Sequence, residues 1–344
     1  MYRLRYLQQL GAASLMVISL SLGSFAQKER NQTQPNRDEE PIKLGTTLVQ
    51  VPVTVSEPGG RYITDLSKGD FSVFEDGIKQ RIEFFGSVEE PFSVALLLDS
   101  SGSTAAQVEQ IKSAALAFVD SMRTRDRAMV ISFNDSVEVQ CDLTSDHQVL
   151  RNAVASMVAG EFTQVYEAVY TAVWEKLQDV EGRKAVIVFT DGIDTASSEI
   201  SEEDTLDAVI ESEDIIVYPI RYSTRADVEA KMESRIRSSV GTKGNDALLK
   251  ELARSRREID RTYRKADEYL NRLAEMSGGV VERADSIQDL KGALTRIANE
   301  LRRQYLLGYY PTNREKDARD RKISVEVSRP ALKVRARPAY RAVQ

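Results

Sequence analysis

An apolar run that stops on a carboxylate constrains this chain most. Val94-Ala95-Leu96-Leu97-Leu98 leads straight into Asp99-Ser100-Ser101-Gly102-Ser103. A short, continuous apolar run fits a strand buried on both faces, as in a parallel sheet. Beyond it, Asp99, Ser101 and Ser103 put a carboxylate and hydroxyls on a tight loop. In open α/β sheets ligands bind outside the carboxyl ends of the strands, which is where such a loop must lie. Hard oxygen donors without His or Cys suit Mg²⁺, Mn²⁺ or Ca²⁺ rather than zinc.

Two further segments offer what a closed metal site needs. Ala185 to Phe189 is a second apolar run, and it ends in Thr190-Asp191-Gly192, another carboxylate at a strand's carboxyl end. Thr163 opens the helical stretch Thr163-Gln164-Val165-Tyr166-Glu167-Ala168 and brings a hydroxyl to a helix N-terminus. Turn capping would account for Asp99 or Asp191 taken singly, but not for three separated elements that agree. Asp194 follows closely enough to join an outer set of ligands, although a cap role suits it better.

Asp99, Ser101, Ser103, Thr163 and Asp191 stand in the order and contexts of the metal-ion-dependent adhesion site of von Willebrand factor A domains. The chain resembles that family from about Glu90 to Glu300. Lys68-Gly69-Asp70-Phe71-Ser72-Val73-Phe74-Glu75-Asp76-Gly77 and Gln304-Tyr305-Leu306-Leu307-Gly308-Tyr309-Tyr310-Pro311 resemble a bacterial exported family related to it. The resemblance implies a Rossmann-like, doubly wound sheet and a Mg²⁺ ion, with Mn²⁺ or Ca²⁺ as alternatives. Ser101 and Ser103 would hold the ion, with Thr163 and one or both carboxylates reaching it directly or through water. It also implies a protein ligand whose Asp or Glu carboxylate completes the coordination.

The remaining pattern is consistent with that architecture. Strands at 128–133, 185–190 and 215–220 alternate with helices at 105–122, 146–158, 164–179 and 201–212, which predicts a doubly wound, mostly parallel α/β sheet. Ser136 to Cys141 reads as an antiparallel edge strand. Residues 223–266 are densely charged and broken by Gly241-Thr242-Lys243-Gly244, and read as two solvated helices inserted late in the domain. Val280-Val281 is expected as a short strand before a last helix from Ile287 to Arg303.

The flanks read as β structure. Val49, Val51, Val53 and Val55 alternate with polar residues and Pro52, as in a half-buried strand at a sheet edge. Short strands follow through residue 88, with Asp76-Gly77 as a turn. Tyr305–Tyr310, Ile323–Val327 and Leu332–Ala336 are strand candidates at the other end. We expect residues 45–89 and 304–344 to pair into one β-sandwich-like domain, with the 90–303 α/β domain between them.

Arg3 and Arg5 precede an apolar stretch from Leu10 to Leu22 that ends in Ser24-Phe25-Ala26, the pattern of a signal peptide cleaved after residue 26. Residues 27–44 are expected as a disordered linker. These features predict an exported protein, periplasmic or extracellular, with an uncleaved signal anchor as the alternative. The apolar stretch is short for a stable membrane span. Cys141 is the only cysteine and His147 the only histidine, which excludes an internal disulfide and a His- or Cys-rich zinc site. A net charge of −6 gives no reason to expect nucleic-acid binding. The basic residues between Arg314 and Arg341 read as a solvated strand face.

Enzyme motifs are missing: there is no phosphate-binding Gly-Lys loop, no dinucleotide fingerprint and no Gly-x-Ser-x-Gly elbow. The reading is therefore a non-enzymatic, metal-dependent protein-binding module. The alternatives are an envelope assembly protein whose metal only stiffens loops, and a Mg²⁺-dependent hydrolase or transferase.

Overall fold

The computed structural model describes residues 48–86, 89–104, 107–212, 214–240 and 245–342. The expected signal peptide and linker lie outside these residues. The described residues form one compact unit.

The central sheet contains strands β5 (Phe92–Asp99), β6 (Arg127–Phe133), β7 (Val137–Thr144), β8 (Arg183–Thr190), β9 (Ile215–Arg221) and β10 (Glu282–Arg283). Their spatial order is β10-β9-β8-β5-β6-β7. Neighbours run parallel except for β7, which pairs antiparallel with β6 as the outer strand. Every residue of β5 is buried, and its side chains divide by strand alternation. Val94, Leu96 and Leu98 pack under helices α1 (Val108–Ser121), α2 (His147–Ser156) and α7 (Ile287–Leu301). Ala95 and Leu97 face α3 (Val165–Tyr170), α4 (Glu202–Glu211) and the C-terminal half of α6 (Asn245–Ser277). A strand covered on both faces needs no polar alternation, which is why the run reads as unbroken. Ser201 and Asp204 close α4 with a capping box.

The chain leaves β5 towards β6 on one side, and leaves β8 towards β9 on the other. The crevice at the carboxyl ends of β5 and β8 is therefore the topological switch point, the place where such sheets bind ligands.

The flanking strands form two four-stranded antiparallel sheets. In one, β1 (Val49–Ser56) lies between β11 (Tyr305–Tyr309) and β13 (Lys333–Arg335), with β4 (Ile82–Gly86) beyond β11. In the other, β2 (Phe71–Glu75) lies between β3 (Ile78–Gln80) and β12 (Asp320–Val327), with β14 (Ala339–Arg341) outside. Each sheet thus joins both ends of the described chain: Val51 pairs with Leu307, and Val73 with Val325. Asp76 and Gly77 both take positive φ, 49° and 81°, the conformation of a two-residue hairpin turn between β2 and β3. Val49, Val51, Val53 and Val55 pack with Phe71, Val73, Tyr305, Leu307 and Ile323 in one core. Within it Glu75 Oε2 accepts from the Tyr309 and Tyr340 hydroxyls at 2.8 and 2.9 Å, and Arg321 donates to its other oxygen at 3.2 Å. The two ends of the α/β region also meet, because the Glu89 amide donates to the Arg302 carbonyl at 2.8 Å.

Several expectations need correction. β1 is neither an edge strand nor half-buried, since Pro52 and Thr54 are buried too. Its Pro52 is tolerated because β13 pairs only with Thr54–Ser56, leaving Pro52 with one neighbouring strand. The charged insertion does not end at residue 266, because α6 runs unbroken to Ser277 and carries solvated and core turns on one rod. The short strand expected at Val280-Val281 falls at Glu282–Arg283. A Cβ on Gly279 would lie 2.0 Å from the Val217 carbonyl, so the chain must first pass tight against β9 before it can pair. The helix expected over 164–179 is α3 continued by a π-helical turn, Thr171–Lys176.

Of the basic C-terminal residues, Arg314, Lys316, Arg319, Lys322, Arg329 and Lys333 are solvated as expected, but three arginines are not. Arg337 is 1% exposed and Arg321 3%, and Arg335 pairs with Glu300 on α7. Guanidinium groups tolerate such burial where carboxylates and helix-terminal carbonyls supply acceptors for their fixed fork of donors.

Candidate metal centre

β5 and β8 end level with each other, since Leu98 pairs with Phe189 and the next residues are Asp99 and Thr190. Both carboxylates of interest emerge there, Asp99 at 0% exposure and Asp191 at 1%. Asp99 Oδ1 accepts from the Ser101 amide at 2.9 Å, and Oδ2 from the Thr190 hydroxyl at 2.7 Å. Asp191 Oδ1 accepts from the Ile193 amide at 3.0 Å, and Oδ2 from the Thr224 hydroxyl at 2.6 Å. The Ser101 side chain lies close enough to Asp99, and that of Ser103 to Asp191, for each hydroxyl to favour the ionised carboxylate. The two serine hydroxyls lie 3.1 Å apart. Asp99, Ser101, Ser103 and Asp191 thus set an arc of oxygen atoms beyond the ends of β5 and β8.

The segment just before Thr163 is tied by its backbone to the Ser100–Gly102 loop. The Gly160 amide donates to the Ser100 carbonyl at 2.8 Å, and the Gly102 amide to the Glu161 carbonyl at 3.4 Å. A Cβ on Gly102 would meet that Glu161 carbonyl at 2.9 Å, so only glycine permits the approach. On the other side the Thr163 carbonyl accepts from the Thr195 and Ala196 amides, each at 3.0 Å. Asp194 accepts from the Val165 amide at 2.9 Å and from the Ser197 hydroxyl at 2.5 Å, the capping role that suits its position. α3 begins at Val165 rather than at Thr163.

Other residues complete the site without having been singled out from the sequence. Thr190 holds Asp99 and also accepts from the Gly192 amide at 3.0 Å. Its place immediately before Asp191 was the available signal. Asp135 accepts from the Glu161 and Phe162 amides at 2.9 and 2.6 Å and so shapes the loop before Thr163. Thr224 reaches Asp191 from 33 residues away, and no local pattern announces it.

Burial, and then the neighbouring Asp191 carboxylate, push Asp99 up to about 7. Burial also raises Asp191, against the opposing hydrogen bonds of Thr224 and Ile193. A carboxyl raised on folding keeps its proton in the native state where the unfolded chain, at roughly 4, has lost it. The native state then binds more protons, so stability without metal falls as pH rises from roughly 4 towards 7. Melting temperatures in chelator should decline over that window, and Asp99→Asn should lessen the decline. An identical profile in both proteins would show that Asp99 ionises freely.

This donor set fits a divalent cation. Two buried carboxylates repel each other across neutral hydroxyls, and a cation would relieve that repulsion. Among the described residues no group of three or more His, Cys, Asp or Glu side chains is placed to hold a metal. Coordination in this crevice would therefore depend on hydroxyl oxygens as well as carboxylates, which favours a hard ion.

The family model for the von Willebrand factor type A domain matches residues 93–279. A solved von Willebrand factor type A protein from Catenulispora acidiphila is similar at 11% identity and a TM-score of 0.46, covering 80% of this chain and 73% of that one. BatB from Bacteroides thetaiotaomicron is similar at 20% identity and a TM-score of 0.39, covering 61% of this chain and 98% of that one. Proximal thread matrix protein 1 from the mussel byssus, solved with a zinc-occupied MIDAS motif, is similar at 15% identity and a TM-score of 0.43. That match covers 64% of this chain and 48% of the byssus protein. Comparison with curated proteins finds no match.

Proposed function

The chain belongs to the von Willebrand factor type A domain family, and from that premise we propose that it is an exported, non-enzymatic module that captures a protein ligand through a divalent ion. The observation that carries the proposal is the arc of Asp99, Ser101, Ser103 and Asp191 at the switch point, with the segment just before Thr163 tied by its backbone to the Ser100–Gly102 loop. In this reading Ser101, Ser103 and Thr163 supply hydroxyl oxygens, and Asp99 and Asp191 balance charge. Bound there, Mg²⁺, or Mn²⁺ or Ca²⁺ in its place, would supply a charge-assisted link to an Asp or Glu of the partner.

The chain's own residues favour capture over catalysis. The Ser101 and Ser103 hydroxyls bond to each other at 3.1 Å rather than to a free base. His147, the sole histidine, opens α2, which packs against β6 and β7. Among the described residues no helix is long and apolar enough to cross a membrane.

The test is capture of partners from an envelope extract by the immobilised protein, in Mg²⁺ and in chelator. A protein retained in Mg²⁺ and eluted by chelator supports the reading. Identical retention in both would leave the ion as a loop stiffener in an assembly protein.

A further inference from the structure

Helices α5 (Arg225–Val240) and α6 bear on the metal crevice from behind. Asp260, Tyr263, Ala266, Asp267 and Leu270 recur at helical spacing, so they share one face of α6. That face meets the end of β8 at several points. Gly192 has φ +80°, and a Cβ there would lie 2.9 Å from Leu270 Cδ1 and 3.3 Å from Ala266 Cβ. Tyr263, 3% exposed, places its hydroxyl 2.7 Å from that of the fully buried Thr224. Arg221 pairs with Asp267, and Arg225 with Asp260, fastening the end of β9 and the start of α5 to the same face. Gln107, before α1, donates to Asp227 of α5 at 3.4 Å.

The proton count gives this contact a direction. A threonine hydroxyl has one proton, and towards an ionised Asp191, the form a bound cation would hold, Thr224 gives it to Oδ2 at 2.6 Å. Its remaining capacity is to accept, so the Tyr263 hydroxyl is the donor of the second bond. Asp191 is then held at both oxygens, by Ile193 on one and by Thr224, backed by Tyr263, on the other.

We infer that Thr224 and Tyr263 are positioning residues for the metal centre, forming a hydroxyl relay through which α5 and α6 orient the Asp191 carboxylate, so that cation binding and the docking of these helices strengthen each other. The inference rests on the metal reading above. Groups that orient a metal ligand commonly contribute about 10- to 100-fold to metal affinity. By linkage, whatever the docked helices add to cation binding the cation must return to their docking.

The experiment is calorimetric titration of Mg²⁺ into the full chain and into its Thr224→Val, Thr224→Ser and Tyr263→Phe variants. It is paired with amide hydrogen exchange over residues 225–240 and 249–266. Thr224→Val should weaken Mg²⁺ binding about tenfold or more, Tyr263→Phe should weaken it less, and Thr224→Ser should bind as the parent does. Mg²⁺ should slow exchange in both helices of the parent and of Thr224→Ser, and should lose that effect in Thr224→Val. Thr224→Val that stays folded and binds Mg²⁺ like the parent would overturn the relay while leaving the metal centre standing. So would exchange in these helices that ignores Mg²⁺ in the parent. A parent that binds no Mg²⁺ would overturn the metal reading itself, and the relay with it.

Discussion

Asp99→Asn should remove saturable Mg²⁺ binding, by at least about a hundredfold in affinity, and leave a folded protein. The substitution keeps the side chain's shape and its acceptor for the Ser101 amide, 2.9 Å away. It removes the charge that opposes Asp191 across the crevice. In the metal-free state that charge is a liability, since Asp99 is fully buried and its neighbour is a like charge. The variant should therefore melt no lower than the parent in chelator at neutral pH, and lower than the parent when both are in excess Mg²⁺. Calorimetric titration and paired melting curves test both statements. Undiminished Mg²⁺ binding by the variant would remove Asp99 from the proposed centre.

The second large effect is expected far from the crevice, at Arg337. This guanidinium is 1% exposed. It donates to the Ser212 carbonyl at 2.5 Å, to Val209 and Ile210 at 3.1 and 3.0 Å, and to Ala339 at 2.8 Å. The carbonyls of Val209, Ile210 and Ser212 lie at the C-terminal end of α4, where a helix has acceptors without internal partners and a partial negative charge. Arg337→Ala would strand those acceptors and leave a cavity between the sandwich and the α/β layer. We expect a loss of about 3–5 kcal/mol by chemical denaturation. Arg337→Lys should recover only part of it, because one ammonium cannot reproduce a planar fork. An alanine variant within about 1 kcal/mol of the parent would mean that water takes over the carbonyls.

The contrast between these sites shows what a sequence discloses. Asp99 and Asp191 were legible because each ends a run of apolar residues, and strand burial is written locally, residue by residue. The pairing of the flanks was legible from alternation, as in Val49, Val51, Val53 and Val55. Arg337 was not, since a guanidinium reads as solvated until the helix end that receives it is known. Pro52 pointed to an edge for a similar reason: a missing donor matters only where a neighbouring strand faces it, and the register of β13 is a tertiary fact. Tyr263 sits in a stretch so charged that it resembles a solvated helix, and its partner Thr224 is reached only through the fold. The metal ligands proposed here were thus visible in sequence, while the groups that hold them in place were not.

The pairing of both ends of the chain sets an order of events during synthesis. Val51 must wait for Leu307 before β1 has its neighbour, and Phe71 must wait for Val327. A ribosome delivers the valine-rich strand first, and until the last residues arrive it is an unpaired edge open to aggregation. The α/β layer can collapse in the interval, and its completion brings Glu89 to Arg302. That contact shortens the effective loop between the waiting strands from more than two hundred residues to about forty, and so lowers the entropy of closing the sandwich. Truncation just before residue 304 should therefore yield a chain whose middle folds while its N-terminal strands remain without partners.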